Sequence, residues 1–257
     1  MRYFQPTTLK NHTMIPFKKI AISMFVFGLA GVFVACSNDD DSPGIPDGEG
    51  RLAISAGATY NPMMSGQGQK TTVVELSSFR VNFSEIELEY DGIIDEDNMY
   101  GSEDDIELKG PFEIELLSPT PVTFANVLLP NGRLEEIEFE FEKNANPQST
   151  LFNQSMRMEG TINGTPFVFW HDFEEEIEVE FEEGGEHTII LNDENGITID
   201  FDLTTVLDAT PTVDLSSAVD GNGNGIIEIG PNDTDGNQAL AQAMKQAIKA
   251  QIDLYDN

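Results

Sequence analysis

The sequence predicts a mainly β protein, an antiparallel β-sandwich with one C-terminal amphipathic helix. Three observations predict it. Apolar and acidic residues alternate with period two along several segments, Gly, Pro and Asn punctuate those segments, and the apolar spacing changes to three and four only near the C-terminus.

The alternation is strictest in "LEEIEFEFE" (134–142), where Ile137, Phe139 and Phe141 point one way while Glu136, Glu138, Glu140 and Glu142 point the other. "EIEVEFE" (176–182) repeats it with Ile177, Val179 and Phe181, "PFEIELL" with Phe112, Ile114 and Leu116, and "GITIDFDL" with Ile197, Ile199, Phe201 and Leu203. Such segments are half-buried antiparallel strands, one face on a core and one in water. A phase change marks one long segment. Phe79, Val81 and Phe83 are odd-numbered, whereas Ile86, Leu88 and Tyr90 are even-numbered. A continuous strand would turn half of them outward; a bulge near Ser84-Glu85, or a break into two strands, restores one inward face. Turns fall at Pro130-Asn131-Gly132, at Gly184-Gly185 and at Asn163-Gly164, the last a strong hairpin signal. The span from Arg51 to Leu207 thus predicts about nine or ten strands and no helix, a number that suits a sandwich.

Beyond it, Leu240, Met244, Ala247, Ile248, Ile252 and Tyr255 recur at helical spacing and predict an amphipathic helix over about 237–255, with Asp235 or Asn237 as its N-cap. With one apolar face, that helix is expected to dock on the sheets.

The front of the chain has a different character. Lys18 and Lys19 precede an uncharged apolar run, Ile20–Ala35, that ends in Phe33-Val34-Ala35-Cys36. This run is shorter than the roughly 20 residues a spanning helix needs. It resembles the bacterial lipobox, although Phe33 stands where Leu is usual, and the resemblance implies cleavage before Cys36 and diacylglyceryl attachment to its sulfur. Met14 would start a signal of ordinary length. Cys36 is the sole cysteine, so an internal disulfide and a structural multi-thiolate zinc site are excluded. Two acyl chains hold a protein stably on a membrane where one does not. The acidic run Asp39-Asp40-Asp41 directly after it resembles the surface-export signal of lipoproteins from Bacteroidota; it also serves as a solvated tether. The expected organisation is therefore a lipoprotein signal peptide (1–35), a lipidated cysteine with an acidic flexible tether (36–50) and a single sandwich domain with its helix (51–257). The expected location is the outer membrane, facing outward, with membrane lipid as partner through the anchor.

The chain holds 13 Lys and Arg against 46 Asp and Glu, a net charge of −33. Four of those cations and no acid lie in residues 1–35, so the remainder is more acidic still. Such a charge repels nucleic acid and anionic headgroups and attracts cations, calcium above all outside the cell.

Glutamates two apart on a strand lie about 7 Å from each other, and in water they repel by about 0.6 kcal/mol per pair before salt screening. A solvated, edge-protecting surface tolerates that; a calcium- or polycation-attracting face is the other reading of the ladders. No nucleophile, zinc-protease, phosphate-loop or dinucleotide motif is present, and His171 beside Asp172 reads as a strand-end residue, so no enzyme is expected. Trp170, in a strand apolar on both faces, reads as buried between layers rather than as a sugar-stacking platform.

The sharpest motif is "DGNGNGIIEIGPNDTDGN" (220–237). A calcium loop of the EF-hand kind takes ligands at positions 1, 3, 5, 7, 9 and 12 with Gly at position 6. Asp220, Asn222, Asn224, Gly225, the Ile226 carbonyl and Glu228 fit the first nine places, and Ile227 supplies the apolar eighth. Position 12 is Pro231, which has no carboxylate, so Asp233 or Asp235 would have to stand in from a wider loop. The alternative is a Gly/Asn turn cluster joining strand and helix.

Taken in order, "LSSFRVNFSEIEL", "PFEIELL", "NVLLPNGRLEEIEFEF", "MEGTINGTPF" and "GITIDFDL" resemble a family of bacterial outer-membrane lipoproteins with a β-sandwich domain of unknown function. The resemblance covers most of residues 70–207 and implies the fold but no catalytic residues. The acidic stretch 91–105 and the C-terminal helix lie outside it. The expected function is a surface-anchored, non-enzymatic binding, adhesion or assembly module for an extracellular ligand or protein, with calcium as a possible stabilising ion. The alternative is a glycan-binding lipoprotein partnering an outer-membrane transporter.

Overall fold

A computed structural model of the chain describes residues 49–61, 72–92, 106–180, 187–189, 194–207 and 213–256. The signal segment, Cys36, most of the tether, the Gly184-Gly185 turn and most of the acidic stretch 91–105 lie outside the described residues. Among the described residues no helix is long and apolar enough to cross a membrane.

Ten strands precede the C-terminal region: β1 (Glu49–Thr59), β2 (Val74–Gly92), β3 (Ile106–Glu115), β4 (Val122–Pro130), β5 (Gly132–Phe141), β6 (Met156–Ile162), β7 (Thr165–His171), β8 (Glu175–Glu180), β9 (His187–Ile189) and β10 (Glu194–Asp202). A five-residue helix α1 (Leu203–Leu207), a 3-10 turn (Leu215–Ser217), β11 (Ile227–Ile229), helix α2 (Gln238–Lys249) and β12 (Ile252–Asp256) follow. The smaller sheet has the order β12-β10-β1-β4, and the larger runs β11-β7-β6-β2-β5-β8 with β3 added on β2 and β9 on β5. The two sheets face each other as a sandwich. Phe79 of β2 meets Phe201 of β10 edge-on at 5.7 Å, and Phe83 of β2 lies 6.3 Å from Phe124 of β4.

Strand β2 organises the larger sheet. Arg80 pairs with Glu115 of β3 on one edge and Arg157 of β6 on the other, while Glu85 pairs with Lys109 of β3 and Glu140 of β5. Strands β6 and β5 therefore follow one another along one edge of β2, and β3 occupies the opposite edge. The predicted phase change is a bulge: the register shifts between Phe83 and Glu85 against both β3 and β5. Phe79, Val81, Phe83, Ile86 and Leu88 are all fully buried as a result. The Asn163-Gly164 turn closes the β6–β7 hairpin with both residues at positive φ, 51° and 79°, the backbone of a two-residue type I′ turn.

The structure departs from the sequence reading in five places. The span read as free of helix ends in one: Leu203, read as an inward strand residue, opens α1, and Asp202 caps it by accepting the Thr205 N–H and hydroxyl. The pairing is antiparallel except for β1 with β10 and β11 with β7, which are parallel; each joins segments far apart in the chain, so no hairpin constrains their direction. Strand β1 starts at Glu49, inside the stretch read as tether. Helix α2 stops at Lys249 rather than near 255, and Ile252–Asp256 forms a strand on β10. Ile252 satisfies a period of two with Leu254 as readily as a period of four with Ile248, and the open β10 edge offers backbone partners a longer helix would forgo. Finally, neither Asp235 nor Asn237 caps α2 with its side chain. Asn237 occupies the N-cap position, but its amide bonds Val219 and Glu228 instead.

Phe79, Phe83, Phe139, Phe141, Phe169 and Phe201 are the largest fully buried side chains, and Phe83 packs on both Phe139 and Phe141 at 5.2 and 4.9 Å. Truncating Phe83 removes the ring beside the bulge that this cluster surrounds. Phe83→Ala is expected to lower stability by about 3–5 kcal/mol, measured as the shift of the urea midpoint at unchanged slope.

Candidate functional site

Two acidic arrangements emerge, one on a sheet face and one in the 220–237 connection. On the outward face of the larger sheet, register stacks the glutamate ladders side by side. Glu87 lies opposite Glu107 of β3 and Glu138 of β5, and Glu138 lies opposite Glu178 of β8. Glu89 faces Glu136, and Glu140 stands between Glu85 and Glu176. Directly opposed side chains are closer than neighbours along one strand, about 4.5–5.5 Å between Cβ atoms, so repulsion across strands exceeds the along-strand value.

The electrostatics respond accordingly. A hydrogen bond shared with Glu89, then partial burial and the charges of Glu89 and Glu178, push Glu136 up to about 8. Glu138 is pushed up to about 7 by a hydrogen bond with Glu176, partial burial and the charges of Glu176, Glu87 and Glu178. Lys109 at the β3 edge bonds Glu85 and, at 2.8 Å, Glu107, and is itself raised to about 12, chiefly by those hydrogen bonds. Glu87, Glu89, Glu136 and Glu138 line a surface depression of about 160 Å³. Among the described residues, Glu136, Glu138 and Glu178 form the one group of three His, Cys, Asp or Glu side chains whose ligand atoms lie within 4.8 Å of one another. Sequence showed the ladders but not this triad, because which glutamate faces which is a matter of register.

In the second arrangement, side-chain oxygens curl the backbone of residues 220–226. Asp220 Oδ1 accepts the N–H groups of Gly223 and Asn224 at 2.8 and 3.1 Å, and its Oδ2 accepts that of Gly225 at 2.8 Å. Asn222 Oδ1 accepts from Asn224 N, and Asn224 Oδ1 from Ile226 N. Gly225, at the sixth place, has a φ of 88°, which a side chain would resist. Ile227 is buried and opens β11, so the eighth place anchors the loop in the core while Ile226 stays exposed. Glu228 Oε2 receives Asn222 Nδ2 at 2.9 Å and Thr234 Oγ1 at 3.0 Å.

The two candidate stand-ins for the missing twelfth ligand separate clearly. Asp235 is buried and reaches back to the loop: Oδ1 accepts Asn222 N at 3.0 Å and Oδ2 accepts Glu228 N at 2.7 Å. Asp233 is also buried, but it serves the backbone at the helix entrance. Its Oδ1 takes the N–H groups of Asp235, Gly236 and Asn237, and its Oδ2 that of Gly230. Hydrogen bonds thus link Asp220, Asn222, Asn224, Ile226, Glu228 and Asp235 within one connection, with Asp233 as its brace, although the carboxylates of Asp220, Glu228 and Asp235 do not all come within 4.8 Å of one another. These donors mix carboxylate, amide and carbonyl oxygens, the hard oxygen set calcium prefers.

The aromatic and histidine residues contribute to packing. Trp170 is half-buried, and Gly230 lies so close that a Cβ there would come within 2.2 Å of its Cε2. That contact pins the 220–237 connection to β7 and covers one face of the indole near Cε2. Phe152 is the large aromatic that stands exposed among the described residues. His171 is buried, with Nδ1 accepting from two backbone N–H groups, and His187 falls on β9.

No family model, no characterised protein and no solved structure matches this chain, so the chemistry rests on its own residues.

Glu136 and Glu138 hold protons in the folded protein at pH values where the unfolded chain has lost them. The native state then binds more protons than the unfolded one, and their contribution to stability falls as pH rises from about 4.5 through about 7 and 8. Urea midpoints measured across that range are expected to decline with pH, and the decline is expected to flatten in a Glu136→Gln/Glu138→Gln variant.

Proposed function

We propose that the protein is a lipid-anchored, non-enzymatic module displayed on the outer membrane of a bacterium of the Bacteroidota type, binding or assembling with an extracellular partner and stabilised by calcium in the 220–237 loop. The observation that carries the calcium reading is the return of Asp235 to the turn built by Asp220, Asn222 and Asn224. Its two oxygens accept the backbone N–H groups of the third and ninth loop places, which brings a carboxylate to the loop that has Pro231 at its twelfth position. Asp220, Asn222, Asn224, the Ile226 carbonyl and Glu228 would supply the remaining ligands. Calcium there would tie β11 and the start of α2 to the larger sheet and offset the mutual repulsion of buried and clustered acids.

The anchoring half of the proposal rests on Cys36 and its preceding apolar run. The acidic sheet face supports a partner that is neither nucleic acid nor an anionic surface. A glycan-binding role beside a transporter has less support, since Gly230 packs against one face of the Trp170 indole and closes it to stacking.

In thermal unfolding of the chain beginning at Ser37, calcium is expected to raise the melting point and chelator to reverse the rise. A hundredfold excess over Kd corresponds to about 2.7 kcal/mol. Asp220→Ala is expected to lose most of the shift; an equal shift in both proteins would move the metal to the glutamate face, and none in either would make the stretch a connector. Separately, Cys36→Ser is expected to abolish incorporation of labelled fatty acid and to release the protein from the membrane fraction.

A further inference from the structure

We propose that His171 is a pH-sensitive latch, holding helix α2 against the larger sheet only while its imidazole is neutral. The ring ends β7 with 5% of the residue exposed. Its Nδ1 accepts the backbone N–H groups of Asp172 at 3.0 Å and Phe173 at 3.1 Å, so the single proton of the neutral ring sits on Nε2. Nε2 lies 3.0 Å from the side-chain amide nitrogen of Gln242, an exposed residue beside the buried Ala241 and Lys245 of α2; a half-turn of that amide presents Oε1 as the acceptor of the ring proton. A second proton has only Nδ1 to occupy, where it meets two N–H donors. The ring must then turn out of its place, and its bond to α2 goes with it.

The charged groups around the ring reinforce this. From α2, Lys245 is buried, sits 5.4 Å over the Phe173 ring and bonds Glu175 at 2.6 Å. Lys249, one turn on, bonds the other oxygen of Glu175, at the start of β8. Asp172 places Oδ1 3.8 Å from Nδ1, and Lys143 beyond it is paired with Glu174 at 2.8 Å. Ser155, just before β6, and Met156, which opens it, are neutral. Burial, then the Lys245 charge, hold His171 below its ordinary value; Asp172, the Gln242 bond and Glu175 oppose them without prevailing. Glu175 is held below the usual carboxylate range by its two lysines, so the lysine clamp persists at pH values where His171 charges. The undocked state therefore takes up the proton first, and docking weakens as pH falls below about 6.5.

Loosening α2 also reaches the 220–237 connection, because Gln238 bonds the Asp233 carbonyl and Asn237 bridges Val219 to Glu228. The latch does not depend on calcium, so it is tested in chelator.

Hydrogen exchange of α2 amides, corrected for intrinsic rates and referenced to β2 and β5, is followed from pH 7.5 to 5.0 on the full chain in detergent. Protection of α2 is expected to fall about tenfold per pH unit below about 6.5. In His171→Asn, whose Oδ1 accepts the same two N–H groups without titrating, it is expected to stay flat. Unchanged protection in the parent, or an equal loss in the variant, overturns the proposal. If the variant does not fold, the imidazole is titrated by NMR in the parent, with His187→Gln to assign it. A ring midpoint below 6.5 that coincides with the loss of α2 protection supports the latch, and a ring that titrates while α2 stays protected overturns it.

Discussion

Nineteen residues of β2 run through the larger sheet, and Val74, Phe79, Val81, Phe83, Ile86 and Leu88 share one inward face because the strand shifts register at Leu76–Ser78 and again at Phe83–Glu85. Without the second bulge, Ile86 and Leu88 would project into water and Glu85, Glu87 and Glu89 into the core. Burying three carboxylates is far more costly than the bulge itself. The same irregularity aligns β3 and β5 on the two edges of β2, so it sets which glutamates face one another and where the Phe83 cluster forms.

The solution to a crowded acidic face follows from this alignment. Few cations are available, and among the described residues Lys109 serves one corner of the grid. Elsewhere neighbouring carboxyls share protons, as the raised values of Glu136 and Glu138 show. Inward, the alternate positions of the same strands supply the phenylalanine and isoleucine core, so the acids and the core are two faces of one pattern. The face is tolerated because water screens it, and it remains the region most responsive to pH and to cations.

The C-terminal region is held by different means. Strand β11 has only three residues, and it stays in place because Ile227 and Ile229 are buried, Gly230 packs on Trp170, and Asp233, Asp235 and Asn237 absorb the backbone donors and acceptors of a loop with little regular structure. Helix α2 covers this assembly through Ala241, Met244 and Ile248, with Lys245 and Lys249 clamped on Glu175. Loop, helix and the β7 end are thus joined by direct contacts on the larger sheet.

The order of strands, their inward residues, the β2 bulge and the β6–β7 hairpin were legible in the sequence, because period-two burial and positive-φ turns are local properties of the chain. So was the first half of the 220–237 loop, whose alternate Asp and Asn side chains bond backbone groups only two to five residues away. Tertiary structure decided the rest. The parallel β1–β10 and β11–β7 pairs, the C-terminal strand in place of a longer helix, and the bonds of Asp235 back to Asn222 and Glu228 all depend on which distant edge or backbone group is available. The Glu136, Glu138 and Glu178 triad likewise exists only once three strands are set in register. By itself the sequence determined which face of each segment is apolar, because that is written in neighbouring residues; which faces and acids meet is a property of pairings that no single segment contains.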